Sequence, residues 1–255
     1  MSTVIAPAKL TWFLEITGRR SDGFHLLRSE MVSLDLCDSL EIAVAEHTEL
    51  RVSGSAEGVS GVPRDGTNLV ARALAAVNRT ARVDIDKAIP SGAGLGGGSS
   101  DAAAVLRWAD CFDVEVATRL GADVPFCLRG GRALVQGIGE QVTALTFERR
   151  EITLILAPFS VNTANCYAAF DRLSERAGAS GRNHLFEAAC AVEPRVRTLQ
   201  EFVASVTGRE VVLAGSGSTM FIEGSVSGLD AVGTLESPVG ELQVRRAVTM
   251  PALAN

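Results

Sequence analysis

Lysine is almost missing from this chain. Of its 24 basic residues, 22 are Arg and only Lys9 and Lys87 are Lys. The three histidines, His25, His47 and His184, stand far apart and never at metal-ligand spacing, which argues against a metal held in a dedicated protein cage. No apolar run approaches the ~20 residues of a membrane-spanning helix. The opening residues Met1 to Pro7 carry no basic region followed by an apolar stretch, so a secretory leader is not expected. Cys37, Cys111, Cys127, Cys166 and Cys190 are odd in number and form no CxxC pair. They are expected to be free buried thiols in a reducing cytoplasm, not a disulfide framework or a zinc site. Thirty acidic residues against the 24 basic ones give a net charge of −6, which speaks against a nucleic-acid or membrane partner.

What is present is enough for a sizeable core: 255 residues, 47% of them hydrophobic, fit one or two globular domains. Alternating or β-branched stretches predict strands at Ala8–Ile16, Leu26–Leu34, Leu40–Val44, Glu49–Val52 and Arg82–Ile89. Asn68–Val77 reads as an amphipathic helix and Ala102–Ala109 as a strong one. After Arg150 the expected order is strand Ile152–Ala157, helices Ala164–Leu173 and Pro194–Val206, and strands Val211–Leu213 and Thr219–Ile222. A helix over Gly228–Glu236 and a strand over Glu241–Val248 follow. The class is α+β, with a boundary near Arg150 separating residues 1–150 from 151–255.

Between the strand ending near Ile89 and the helix after it lies Pro90-Ser91-Gly92-Ala93-Gly94-Leu95-Gly96-Gly97-Gly98-Ser99-Ser100-Asp101. Five glycines in seven residues let successive N–H groups converge on an anion. The helix start adds unpaired N–H groups and a positive dipole end. Ser99 and Ser100 offer either helix caps or hydroxyls for phosphate and Mg²⁺. A flexible linker would not run so abruptly into a strong helix. No Lys follows the glycines, so the segment is not a Walker-type loop. A GxGxxG match at Gly92, Gly94 and Gly97 lacks the wholly apolar strand and the βαβ unit of a dinucleotide fold.

The segment closely resembles the phosphate loop of the GHMP small-molecule kinases. Four other stretches, in family order, extend the resemblance over nearly the whole chain: Ala6-Pro7-Ala8-Lys9-Leu10, Gly18-Arg19-Arg20-Ser21-Asp22-Gly23-Phe24-His25, Gly121-Ala122-Asp123-Val124-Pro125-Phe126 and Gly215-Ser216-Gly217-Ser218-Thr219. The second and third of these point to the branch that phosphorylates a hydroxyl of a diphosphocytidyl-linked methylerythritol, the 2-hydroxyl, in isoprenoid precursor biosynthesis. A homoserine- or sugar-type member, or a weakly active or non-catalytic paralogue, is the alternative. The resemblance implies a two-lobed fold, with an N-terminal ATP-binding lobe like ribosomal protein S5 and a ferredoxin-like C-terminal lobe. ATP and Mg²⁺ are the implied cofactors, and a cytoplasmic monomer or weak homodimer the implied form.

By the same resemblance Asp123 is the base and Lys9 its partner. Pro90, Gly92, Ala93, Gly94, Leu95, Gly96, Gly97, Gly98, Ser99 and Ser100 cradle the nucleotide, with Lys87 and Asn68 near the adenine or phosphates. Thr11, Phe24, His25, Tyr167, Gly215 and Ser216 serve the other substrate, Phe24 and Tyr167 enclosing the cytosine. Lysine also has its own logic at position 9. A compact point charge fits between a carboxylate and a hydroxyl where the planar fork of Arg does not. Plainer readings stand beside these: a loop cap for Asp123, a helix N-cap for Asn68, a solvated strand residue for Lys87, core packing for Phe24, helix-face packing for Tyr167, and a hairpin turn at Gly215. Three departures from the family pattern are visible. Thr11 stands where Asn is usual, the Asp101–Asp123 stretch is short, and Met31 replaces an aromatic.

Overall fold

The computed structural model describes residues 1–56, 58–177, 181–226 and 232–253. Its backbone begins with a long antiparallel hairpin, β1 (Ser2–Arg19) and β2 (His25–Val44). Asp22 and Gly23 close its turn: Asp22 Oδ1 accepts from Phe24 N at 3.3 Å, and Gly23 adopts φ 93°. The two expected strands Leu26–Leu34 and Leu40–Val44 are thus one, because β2 runs on through an irregularity. Pro7 pairs with Cys37 but Lys9 with Ser33, so β2 carries extra residues opposite Ala8.

Around this hairpin β3 (Glu49–Gly54) lies parallel to β4 (Ala81–Lys87), and β4 is antiparallel to β2. On the other part of β2, β5 (Arg132–Gly137) pairs in turn with β6 (Gln141–Ala144). Four helices belong to this half: α1 (Leu69–Ala76), α2 (Gly97–Trp108), α3 (Val114–Leu120) and α4 (Val124–Arg129). The small residues Ala102, Ala103 and Ala104, with Val105 and Leu106, are all buried, which lets α2 press against β1, α1 and α4. The later half holds β7 (Glu151–Leu156), α5 (Thr163–Ala177), α6 (Phe186–Val192), α7 (Arg195–Thr207), β8 (Val212–Leu213), β9 (Met220–Glu223), β10 (Val232–Ser237) and β11 (Gly240–Met250). No helix among the described residues is long and apolar enough to cross a membrane.

One expectation is overturned. The helix over Gly228–Glu236 is a strand from Val232, paired along its length with β11 across a tight return at Ser237–Gly240. Residues 228–231 lie outside the described ones. An available strand partner outweighs the weak helical periodicity of so short a run. The short elements α3, α4, α6, β5 and β6 have no counterpart among the expected ones.

The expected boundary at Arg150 is crossed by the sheet. Its path runs β3-β4-β2-β11-β7-β9-β8, and β11 reaches β2 through Thr249 opposite Leu34 and Met250 opposite Ser33. One hydrophobic core lies wholly in the first half and a second mostly in the later half. A third mixes Ala8, Leu10 and Leu34 with Leu154, Phe221 and Ala247. Arg150 itself bonds Glu30 at 2.8 Å and stacks over the Trp12 ring at 4.2 Å. This shared packing brings the glycine-rich segment of the first half against turns of the second.

Candidate active site

A cavity of about 530 Å³ opens where the glycine-rich loop, β1, the start of α4, the start of α5 and the Gly215 turn converge. The loop's own chemistry shapes it. Gly92, Gly94 and Gly96 take φ values of 74°, 79° and 70°, which side-chain-bearing residues rarely adopt. At two of these, space is also exhausted. A Cβ on Gly96 would sit 2.6 Å from Lys9 Cγ, and one on Gly94 would sit 2.8 Å from the carbonyl oxygen of Gly217. The loop therefore grips the stem of Lys9 on one side and touches the second glycine turn on the other. Lys9 N–H also donates to Leu95 O at 2.9 Å.

Lys9 is buried, and its ammonium lies 3.3 Å from Asp123 Oδ2 and 3.4 Å from Thr11 Oγ1. Asp123 occupies the N-cap position of α4, yet its side chain caps nothing. Its carboxylate, about 31% exposed, is turned toward the cavity instead. The plain reading of Asp123 as a loop cap does not hold here. This carboxylate–ammonium pair beside an anion cradle can take a proton from a hydroxyl and steady a transferring phosphoryl group.

Of the other expected nucleotide residues, Pro90, Gly92, Ala93, Gly94, Leu95, Gly96, Gly97, Gly98, Ser99, Asn68 and Lys87 all line the cavity. Leu95 does so while its side chain belongs to the core. Ser100 is a correction: it is buried, its hydroxyl donates to Pro7 O, and it is absent from the lining. One helical residue onward from Ser99, the side chain turns from the cavity to β1. Asn68 satisfies the N-cap reading, with Oδ1 accepting from Val70 N at 2.8 Å and Nδ2 donating to Pro63 O at 2.6 Å. One amide N–H of its side chain is left over. Lys87 is also corrected. It is neither a solvated strand residue nor a free cation for steering phosphates. Its ammonium is buried against Asp38 and, at 2.6 Å, Asp101. Burial alone would lower its pKa, but the two carboxylates outweigh it and raise it. Asp101 is pushed up to about 7, by burial first and by Asp38 against the opposing pull of Lys87. Its Oδ1 is buried with no hydrogen-bond partner.

At the other end Thr11, Tyr167, Gly215 and Ser216 line the cavity, as does Met31. The expected Phe24–Tyr167 enclosure is not formed. Phe24 is 60% exposed in the hairpin turn and outside the lining, and the ring facing Tyr167 is that of His25, at 4.9 Å and 30°. The physical reason is a competing anchor. His25 Nε2 pairs with Asp171 at 2.6 Å, one turn along α5 from Tyr167, and this draws the imidazole over the phenol ring. Burial, and then the charge of Asp123, raise the Tyr167 pKa. The Gly215 turn is more than a hairpin. Asn183 Nδ2 donates to Leu213 O at 2.8 Å and Gly215 O at 2.7 Å, and Ser216 Oγ meets Thr163 Oγ1 at 2.9 Å.

Asp38, Asp101 and Asn183 are site residues that sequence reasoning missed. An aspartate inside the alternating run Leu34–Leu40 was the available signal for the first. Among the described residues no group of three or more His, Cys, Asp or Glu is placed to hold a metal ion.

Residues 68–131 match the model of the GHMP kinases N terminal domain. The chain is 37% identical over 250 residues to the 4-diphosphocytidyl-2-C-methyl-D-erythritol kinase of Albidiferax ferrireducens, covering 86% of this chain and 84% of that protein. It is 34% identical to the kinase of the same name from Clostridium beijerinckii, with 85% and 88% covered. Its fold superposes on a crystal structure of a 4-(cytidine 5'-diphospho)-2C-methyl-D-erythritol kinase with a TM-score of 0.71, at 25% identity, over 98% of this chain and 100% of that one. The α+β GHMP kinase fold expected from the motifs is therefore the fold observed, and the chain belongs to the family of the 4-diphosphocytidyl-2-C-methyl-D-erythritol kinases.

Proposed function

We propose that the chain transfers the γ-phosphoryl group of ATP to the 2-hydroxyl of 4-(cytidine 5'-diphospho)-2-C-methyl-D-erythritol, with Asp123 as base and Lys9 as its partner. The observation that carries the reading is the uncapped Asp123 carboxylate, 3.3 Å from Lys9 in the cavity that the glycine loop walls. Asp123 accepts the hydroxyl proton as the oxygen attacks the γ-phosphorus; the new O–P bond forms, the bond to the β-phosphate oxygen breaks, and ADP leaves. Lys9, held in place by Thr11 and by the glycine at position 96, keeps the carboxylate oriented and lends its charge to the transferring group. The loop N–H groups and the start of α2 receive the nucleotide phosphates. Thr11 and the Gly215–Ser216 turn border the acceptor alcohol, and Tyr167 gives its cytosine a flat surface.

Magnesium fits this donor set. Bound with a nucleotide it needs few protein ligands; Ser99 and Asp101 both line the cavity, and Asp101 Oδ1 is buried without a hydrogen-bond partner. What Mg²⁺ supplies when bound is neutralisation of charge on the phosphate oxygens. The five free thiols suit a reducing cytoplasm, and the enzyme acts there as a monomer or weak homodimer. A division near Arg150 into an ATP-binding N-terminal domain and a C-terminal domain goes with this reading.

The test is ATP consumption with Mg²⁺ in the presence of the diphosphocytidyl alcohol, homoserine or galactose. Turnover is expected with the first alone. Comparable rates with homoserine or galactose would reassign the substrate, and ATP binding with no turnover on any of the three would make the chain a non-catalytic paralogue.

A further inference from the structure

Asp38 lies outside every motif described above, yet it is fully buried. Its Oδ1 accepts from Ala88 N at 2.7 Å and Ile89 N at 2.8 Å, and its Oδ2 accepts from the Lys87 ammonium. Ala88 and Ile89 are the last residues before Pro90 and the glycine loop. Lys87 in turn reaches Asp101 on α2, just past the loop. A Cβ on Gly97 would come within 3.1 Å of Lys87 Nζ and 3.3 Å of Asp38 Oδ2, so the far end of the loop rests on the same cluster. One carboxylate on β2 thus ties together the chain entering the loop and the helix leaving it.

Stability does not explain such an arrangement. A buried ammonium set between two buried carboxyl groups is costly to desolvate, and well-packed apolar side chains often serve a fold equally well or better. What the cluster does fix is geometry. Hydrogen bonds to a charged acceptor are short and directional, and here two of them go to consecutive backbone N–H groups.

We propose that Asp38 is a positioning residue of the nucleotide site. Through Ala88, Ile89 and Lys87 it sets the distance between the two ends of the glycine loop, and so where the loop's N–H groups point. This rests on the reading that the loop holds ATP.

The substitution Asp38→Asn keeps an oxygen for Ala88 and Ile89 and removes the charge that faces Lys87. It is expected to raise the KM for ATP by about tenfold, the scale of one charged hydrogen bond. The KM for the diphosphocytidyl alcohol should stay within about twofold. Amide hydrogen exchange should quicken over residues 87–98 and stay unchanged over β7 and α7. In a Lys87→Gln background, Asp38→Asn should add less than about twofold, because the arm it breaks is already gone. That background has no buried ammonium to leave unpaired, so it keeps the test readable if the single variant does not fold. An unchanged KM for ATP in the folded variant, a parallel rise in both KM values, or effects of the two substitutions that simply multiply would each overturn the proposal. Gly94→Ala serves as the reference. If it weakens ATP and Asp38→Asn does not, the positioning role alone has failed. If Gly94→Ala also leaves ATP untouched, the nucleotide reading of the loop has failed and the proposal falls with it.

Discussion

The two ends of the cavity are built from different materials. At the loop end the glycine-rich backbone forms one wall, and the charges of Lys87, Asp38 and Asp101 beneath it are paired and buried. At the other end the surface is side chain: Tyr167 comes from α5, with His25 from the hairpin turn behind it and Asp171 and Arg19 holding the edge. A backbone cradle is preorganised before any ligand arrives. A platform of rings depends on which neighbour each ring has chosen, so it is the end where rearrangement on binding is to be looked for.

Lys9 and Asp123 line the cavity that both ends share, and breaking them has the largest expected effect. Lys9→Arg and Asp123→Asn should each lower kcat at least ~100-fold with both substrates saturating, the scale of a positioned acid–base group. Near-normal turnover in either variant would remove the pivot of the comparison. Next comes Gly94→Ala, which forces a side chain into φ 79° and against Gly217 O. A strain on the order of 1–3 kcal/mol should appear as a KM for ATP raised roughly tenfold, with the alcohol's KM little changed. Tyr167→Ala is the mirror image. Loss of one stacking surface, about 1–3 kcal/mol, should weaken the diphosphocytidyl alcohol at least about fivefold and leave ATP alone. Phe24→Ala should change either KM less than ~2-fold, within the range of exposed surface substitutions. An effect as large as that of Tyr167→Ala would show that Phe24 swings in when substrate binds, and would redraw the alcohol end.

The smallest effect is shared by both ends. Cys127, behind the loop, and Cys166, near the start of α5, are each pushed up by burial to about 12 from an ordinary 9.0. The folded chain therefore keeps protons that the unfolded chain releases. Stability present below pH 9 should decline as pH rises toward 12. Thermal unfolding followed between pH 8 and 11 should show a falling Tm, and Cys127→Ala and Cys166→Ala should each make the fall shallower. A steeper contribution from one thiol would mark that end as the drier.

The loop end was largely legible in the sequence, because glycine spacing followed by a strong helix is a local signal, and because Lys9 stands out where Arg is the rule. The strands of β1, β2 and β4 were legible for the same reason. The rest depended on partners far along the chain. Whether Lys87 meets a phosphate or two aspartates is decided by Asp38, 49 residues away. Whether His25 or Phe24 covers Tyr167 is decided by Asp171, 146 residues from His25. Ser99 and Ser100 look alike as letters, and only the helical turn sends one toward the cavity and the other to Pro7. The strand β10 escaped because its pairing with β11, not its own composition, makes it a strand.

The seam between β2 and β11 has a consequence for how the molecule is made. Val248 N reaches Asp35 Oδ1 across 213 residues of sequence, beside the pairing of Thr249 with Leu34. Contacts so distant along the chain form slowly. On a ribosome, the segment around Ser33 and Leu34 waits for its neighbour until some 213 further residues have been synthesised. During that interval the first half can bury its own core, but the third core, which carries Leu10 and the Leu95 whose carbonyl accepts from Lys9 N–H, stays incomplete. The packing around the cradle and the lysine it grips is therefore completed only when β11 arrives.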